Sequence, residues 1–314
     1  MTYRLRIALA SSLVGILVAG LVPAQTTGDS ETNPLFAAGK VKNYLPHMTW
    51  KEVEDLLTRT DIAIIPVGAL EQHGHHLPIG TDVLNGLERA KLIAQRVDAL
   101  VVPILMAGNS PYHLGFPGTI SLSTQTIQRV YVEAVESLIR HGFKRFLILN
   151  SHGGNRVTSR YIADRINHET AGIAVELGEA SAPFRAGRPQ SSGPAQFDRH
   201  GGVGETSNSL YLIPELVDLE SAAPPNLEML PHLEAMVPDI LNGDRTALQV
   251  FLAEALKAEE TGKGTSTREM TSTGVWSERD VREATVERGR QAAEATVDAA
   301  VAFIERWNEL RPRQ

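Results

Sequence analysis

Ile64-Ile65-Pro66-Val67-Gly68-Ala69-Leu70-Glu71-Gln72-His73-Gly74-His75-His76-Leu77-Pro78-Ile79-Gly80-Thr81-Asp82 decides how this chain is read. It opens as an apolar run typical of a buried strand and closes as a Gly- and Pro-rich loop holding one Glu, three His and one Asp. Residues two apart in an extended chain project to the same side, so Glu71 and His73 can face one pocket. Asp82 stands where a helical pattern begins. Two carboxylates and an imidazole on a strand-to-helix loop outline a first-row metal site. A solvated polar loop would have the same composition, so the neighbouring segments decide between the two.

Working outward, Val83, Leu87, Ala90, Ala94 and Val97 recur at helical spacing over 82–97, and Leu100 to Leu105 reads as a second strand. Ser123 or Thr124 caps a helix running to His141, closed by Gly142. Phe146 to Asn150 is a third strand, and it runs into Ser151-His152-Gly153-Gly154-Asn155. A helix from Arg156 to His168 and a strand from Ile173 to Leu177 follow. Upstream, Asp61 to Val67 is the first strand, preceded by a helix from Trp50 to Leu57 with Thr49 and Glu52 as a capping box. Strands alternating with helices of this length predict a parallel sheet covered on both faces. In such sheets ligands bind beyond the carboxyl ends of the strands, where both His-bearing loops lie.

Three further segments complete the pattern. The loop Gly108 to Thr119 is dense in turn formers and carries Ser110 and His113, of which His113 either reaches the pocket or is structural. Ala182 to Arg199, rich in Pro, Gly, Ser and Gln, reads as a mobile loop delivering His200 and Glu205 to the start of another helix. Asn226 to Gly264 reads as a helical pair broken near Asn242-Gly243 and laid over the domain, and a last helix is expected from Ser277 to Leu310 with Glu278, Asp280 and Glu283 near its positive end. No internal repeat or second core is evident.

Composition narrows the class. The chain has 314 residues, 42% of them hydrophobic and 5% aromatic, so one large core must rest on aliphatic side chains. A net charge of −7 argues against a nucleic-acid partner. Residues 1–24 carry Arg4 and Arg6, an apolar run from Ile7 to Val22, and Val22-Pro23-Ala24 as a cleavage pattern, which predicts a secretory signal peptide. A retained anchor is the alternative, though the run is shorter than the ~20 residues a span needs. Residues 25–48 then form an N-terminal tail and 49–314 one domain, in a secreted or periplasmic protein with no stable membrane anchor. The chain contains no cysteine, so any metal is held by N and O ligands, which suits Zn²⁺, Mn²⁺ or Fe²⁺.

Glu71, His73 and Asp82, then His152, then His200 and Glu205 supply enough ligands for two adjacent ions. Such a pair can hold a hydroxide as nucleophile and polarise a substrate oxygen, while a general acid protonates the leaving amine.

These residues resemble the creatininase (creatinine amidohydrolase) family. The resemblance is carried by Glu71-Gln72-His73-Gly74 with His76-Leu77-Pro78 and Thr81-Asp82, and by His113 with Phe116-Pro117-Gly118-Thr119. It continues through His152-Gly153-Gly154-Asn155, His200 with Glu205-Thr206-Ser207, and Gly274-Val275 with Glu287-Arg288-Gly289-Arg290. It implies a three-layer α/β/α sandwich with a mostly parallel central sheet, two divalent ions per chain, a small amide substrate and a homo-oligomer, often a hexamer. It further implies that Glu71, Asp82 and His152 hold one ion, that His73 and Asp82 hold the other with Asp82 as bridge, and that His200 is a proton donor or substrate contact. Creatininase proper has a metal-binding glutamate two residues after the histidine matching His152, and here that position is Gly154. Glu205 is expected to replace it as ligand and to share the catalytic centre with His200. Ser110, His113 and Gln196 are expected at the substrate, Gln196 standing where the enzyme has a tryptophan. The expected function is hydrolysis of a C–N bond in a small cyclic or formyl amide. The alternative is a noncatalytic periplasmic metal or small-molecule binding protein on the same fold.

Overall fold

The computed structural model describes residues 32–185, 196–255 and 266–312, all within one compact unit spanning 31–314. The expected signal peptide, most of the loop 186–195 and the end of the insertion at 256–264 lie outside the described residues.

A four-stranded parallel sheet carries the fold. β1 (Ile62–Val67), β2 (Leu100–Val101), β3 (Arg145–Asn150) and β4 (Ile173–Glu176) stand in the order β2-β1-β3-β4. Because side chains alternate across a strand, Ala63, Ile65 and Val67 meet α1 (Trp50–Leu57), α3 (Thr124–His141) and α4 (Arg156–Glu169) on one face. Ile62 and Ile64 meet α2 (Thr81–Arg96) and the long C-terminal helix Val286–Leu310 on the other. The result is the expected three-layer α/β/α sandwich. The chain leaves β1 toward β2 on one side and later enters β3 on the other, so the topology switches between β1 and β3. That crevice is where open parallel sheets bind ligands.

The local signals for the helices hold. Thr49 and Glu52 form the capping box of α1, and Gly142 ends α3 at φ 111°, a conformation glycine adopts without steric cost. Other expectations are corrected. β2 stops at Val101: Val102 N–H still donates to Ile64 O, but Pro103 has no donor to continue the ladder. The last helix begins at Val286, capped by Thr285, and Glu278, Asp280 and Glu283 precede it. The backbone there is committed elsewhere, since Trp276 N–H donates to His200 O and Glu278 N–H to Phe197 O.

The stretch expected as a tail is part of the fold from Asn33 onward. Asn33 donates to Tyr211 O and to Glu88 Oε2, and Val101 N–H donates to Asn43 O beyond the edge of β2. After α5 (Leu177–Ala180) and α6 (Val203–Leu212), the insertion is helical and broken at Gly243 as expected, but its first limb is two short helices, α7 (Pro231–Glu234) and α8 (Val237–Leu241). Pro238 lacks the N–H that would join them. With α9 (Arg245–Ala255), α10 (Ser266–Met270), Phe197 and Trp276 they enclose a separate apolar cluster. Among the described residues no helix is long and apolar enough to cross a membrane.

Candidate metal centre

The ends of β1 and β3 hold the site. After β1 the loop is pinned where Glu71 N–H donates to Ile79 O and Gln72 N–H to Thr119 Oγ1. Asp82 sits in the first turn of α2, where the helix dipole favours a carboxylate. Asn155, fully buried, donates to Gly68 O and accepts from Asn109 N–H, so it ties the loops after β1 and β3 to the 108–119 loop.

Six side chains converge there. His152 Nδ1 lies 3.0 Å from Asp82 Oδ2 and 3.2 Å from Glu71 Oε1. His73 Nε2 lies 3.4 Å from Asp82 Oδ1, 3.7 Å from Glu205 Oε2 and 3.8 Å from Glu71 Oε1. His200 Nδ1 lies 3.5 Å from Glu71 Oε1. Donors held about 2.0–2.1 Å from a tetrahedral ion are separated by about 3.4 Å, so these spacings are those of ligands around ions. The far nitrogen of each ring is committed to the backbone: His73 Nδ1 to Glu71 O, His152 Nε2 to Asn109 O, His200 Nε2 to Gln72 O. Each ring therefore turns its remaining nitrogen to the carboxylates, the arrangement of metal-ligating histidines.

The residues fit a divalent ion by a further observation. Among the described residues Glu71 Oε2, His73 Nε2 and Asp82 Oδ2 are buried and have no hydrogen-bond partner. Buried carboxylates require a compensating cation. In the metal-free chain only protons can serve. Burial lowers the His73 pKa, but the carboxylates of Asp82, Glu205 and Glu71 outweigh it and raise the group to about 10. His152 is raised well above the ordinary range in the same way, burial being outweighed by Glu71 and Asp82. The Asp82 carboxyl is held well below its usual range, with His73 and His152 overcoming burial.

Glu71, Asp82 and His152 form one ligand group, with mutual atom separations within 4.8 Å, and Glu71, His73 and His200 form a second. Glu205 approaches from the His73 side; its side chain is 39% exposed and its Oε2 accepts from Gly201 N–H. Gly154 leaves no room for the family's glutamate. A Cβ there would stand 2.1 Å from the Tyr112 hydroxyl, 2.4 Å from Asn109 O and 2.5 Å from His152 Nε2.

Of the expected substrate contacts, one reaches the site. His113 is buried, stacks on His200 at 4.1 Å between centroids, and sets Nε2 3.8 Å from Glu71 Oε1. Ser110 is fully buried, and its hydroxyl lies 3.2 Å from His152 Nε2, on the side of the ring away from the nitrogen that meets the carboxylates. Gln196 is exposed. Burial, reinforced by His73, lowers His200 to about 4, and burial with His200 lowers His113 well below the ordinary value, so both are neutral. His76 bonds Thr206 beside Glu205, and burial lowers it to about 4. His75 is exposed.

Several site residues had no sequence signal of their own. Tyr112, whose hydroxyl lies 3.2 Å from His152 Nε2, occupies the space beside Gly154, and Thr267 of α10 bonds His113. Asn155 and Gln72 lie inside motifs but reveal their tying roles only in three dimensions.

The model of the family described as "Creatininase: Creatinine amidohydrolase" matches residues 46–304. The creatinine amidohydrolase of Pseudomonas putida is 36% identical over 196 residues, 56% of this chain and 74% of that one. A mycofactocin precursor peptide peptidase of Mycolicibacterium smegmatis is 31% identical over 215 residues, covering 63% of this chain and 80% of its own. Among solved structures, a mutant creatininase of Zn-Zn type superposes with a TM-score of 0.62 at 25% identity, over 86% of this chain and 99% of that one. A mutant creatininase complexed with creatine gives 0.61 at 26%, and a manganese creatininase 0.59 at 25%, each with the same coverages of 86% and 99%.

Proposed function

The chain belongs to the creatininase family of metal-dependent hydrolases, and on that premise we propose that it is an exported two-metal amidohydrolase cleaving a C–N bond of a small cyclic or formyl amide. The observation that carries this reading is that Glu71 Oε2, His73 Nε2 and Asp82 Oδ2 are buried without a hydrogen-bond partner among the described residues, in a cluster where Glu71, Asp82 and His152 offer ligand atoms within 4.8 Å of one another.

Glu71, Asp82 and His152 would hold one ion. His73, Asp82 and Glu205 would hold the other, with Asp82 shared. Divalent ions bound there would polarise a carbonyl and lower the pKa of water toward neutrality. The chain supplies the proton chemistry. His200 is neutral, its Nε2–H is fixed on Gln72 O, and its Nδ1 lone pair faces the site. It is therefore equipped to accept a proton from the attacking water and return it to the leaving nitrogen. His200, with a side chain 12% exposed, and Glu205 are the open side of an otherwise buried centre, which supports a small substrate.

The test is turnover of creatinine, lactams, hydantoins, formamides and short peptides by the zinc- or manganese-loaded chain. Hydrolysis of a small amide, lost in Asp82→Ala, is expected. Tight binding without turnover would identify the noncatalytic binding protein instead, and hydrolysis of peptides alone would overturn the substrate class. Export is tested by fractionation and N-terminal sequencing of the mature chain, with a start at Gln25 expected.

A further inference from the structure

We propose that His113 is a fixed hydrogen-bond donor to the substrate carbonyl oxygen, presented as its Nε2–H tautomer, and that Thr267 of α10 is the residue that positions it. The proposal rests on reading the site as an amide hydrolase.

The tautomer follows from Gln72. Its Oε1 accepts from Gly74 N–H at 3.0 Å, and its Nε2 donates to Gly274 O at 2.9 Å. Two backbone groups of opposite polarity thus fix which end of the amide is which. Gly274 itself must be glycine, at φ +86° and with a Cβ site only 1.7 Å from Gln72 Oε1. The second N–H of Gln72 Nε2 points at His113 Nδ1, 3.2 Å away. An Nδ1–H imidazole would oppose donor to donor, so Nδ1 is the acceptor and the proton sits on Nε2. The Thr267 hydroxyl, fully buried and 2.8 Å from the same Nδ1, can donate to it in that tautomer and so fixes the position of the ring. α10 is held over the 110–116 loop by the Arg268 guanidinium on the Phe116 ring, at 4.8 Å.

The Nε2–H lies 3.8 Å from Glu71 Oε1, a separation too long for a hydrogen bond. A protonated ring nitrogen cannot ligate a metal. It can donate to a carbonyl oxygen that gains negative charge as its carbon is attacked, the task of an oxyanion-stabilising group. The stacked pair is thereby divided: His200 offers a lone pair and His113 an N–H.

The experiment uses the full zinc-loaded chain. Nitrogen-15 NMR of labelled histidines is expected to show His113 protonated at Nε2, and a proton on Nδ1 would overturn the proposal whatever the substrate. Thr267→Val is expected to lower kcat about two- to tenfold with little change in KM, the worth of one hydrogen bond, and Thr267→Ser to restore it. Equal kcat in Thr267→Val and wild type would remove Thr267 from the account. His113→Leu is expected to lower kcat about 10²–10³-fold, and His113→Gln, which keeps an N–H near the Nε2 position, to recover part of it. Both are expected to keep the wild-type metal content. Loss of metal in His113→Leu would make His113 a ligand and overturn the donor role. If no amide is turned over, the hydrolase reading fails while the tautomer measurement still stands.

Discussion

Gly154→Ala probes the tightest point of the site. The new Cβ would lie 2.1 Å from the Tyr112 hydroxyl, 2.4 Å from Asn109 O and 2.5 Å from His152 Nε2. Each separation is at least about 0.9–1.3 Å short of ordinary van der Waals contact. The tyrosine can swing away, but Asn109 O is backbone and is itself tied through Asn109 N–H to Asn155. The remaining relief is a tilt of the His152 ring, which breaks the bond from Nε2 to Asn109 O and moves Nδ1 off its 3.0 Å and 3.2 Å approaches to Asp82 and Glu71. Overpacking of this kind costs about 1–3 kcal/mol. Strain that the metal-free chain relieves by moving His152 must be restored on binding, so affinity at the Glu71–Asp82–His152 group should fall about 5- to 150-fold. Competition against a chelator of known affinity reads this directly, with Tm of the metal-free chain as control. Wild-type affinity and activity in Gly154→Ala would refute the argument, as would a Gly154→Glu chain that binds both ions as well as wild type.

Other perturbations have defined outcomes. Asp82→Ala should lose both ions and all hydrolysis, measured by elemental analysis and assay, because it removes the shared ligand. Tyr112→Phe should weaken the first ion about two- to tenfold in a zinc titration, since one of the polar groups holding His152 Nε2 disappears while Asn109 O remains. Metal uptake at pH 8 should release protons into a dye-indicated weak buffer: His73, raised to about 10, is protonated in the metal-free chain where an ordinary imidazole is not. The sign follows from the raised value; the charged ring stabilises the metal-free chain fully below the ordinary pKa of ~6.5, and that contribution is lost as pH rises through about 10. Uptake without proton release would contradict it. Asn155→Ala should lower Tm and metal affinity together, because Gly68 O and Asn109 N–H both lose their buried partner.

Much of this was legible in the sequence, and for physical reasons. The apolar runs at Ile62–Val67 and Arg145–Asn150 are buried on both faces, so they announce a parallel sheet, and the capping box at Thr49 and the glycine at 142 mark helix ends by local bonding alone. Glu71, His73 and Asp82 are close in the chain, so their convergence follows from strand geometry. What lay hidden depended on long-range pairing. Leu105 is apolar but not a strand residue, because Pro103 ends the ladder two residues earlier. Glu278 and Asp280 are helix-like in composition, but Glu278 is paired with Phe197 and Asp280 caps the short turn at Arg282. Ser110 sits beside the site in sequence, yet the fold turns it behind His152. Thr267 lies in a segment with no motif at all and meets His113 across 154 positions.

The central claim is that two ions share Asp82. A crystal structure of the zinc-loaded chain, with anomalous scattering recorded at the zinc edge, tests it most directly. The account predicts two peaks, one among Glu71, Asp82 and His152 and one among His73, Asp82 and Glu205, with His200 and His113 coordinating neither. A single peak, or a second ion ligated by His200 in place of Glu205, would contradict it.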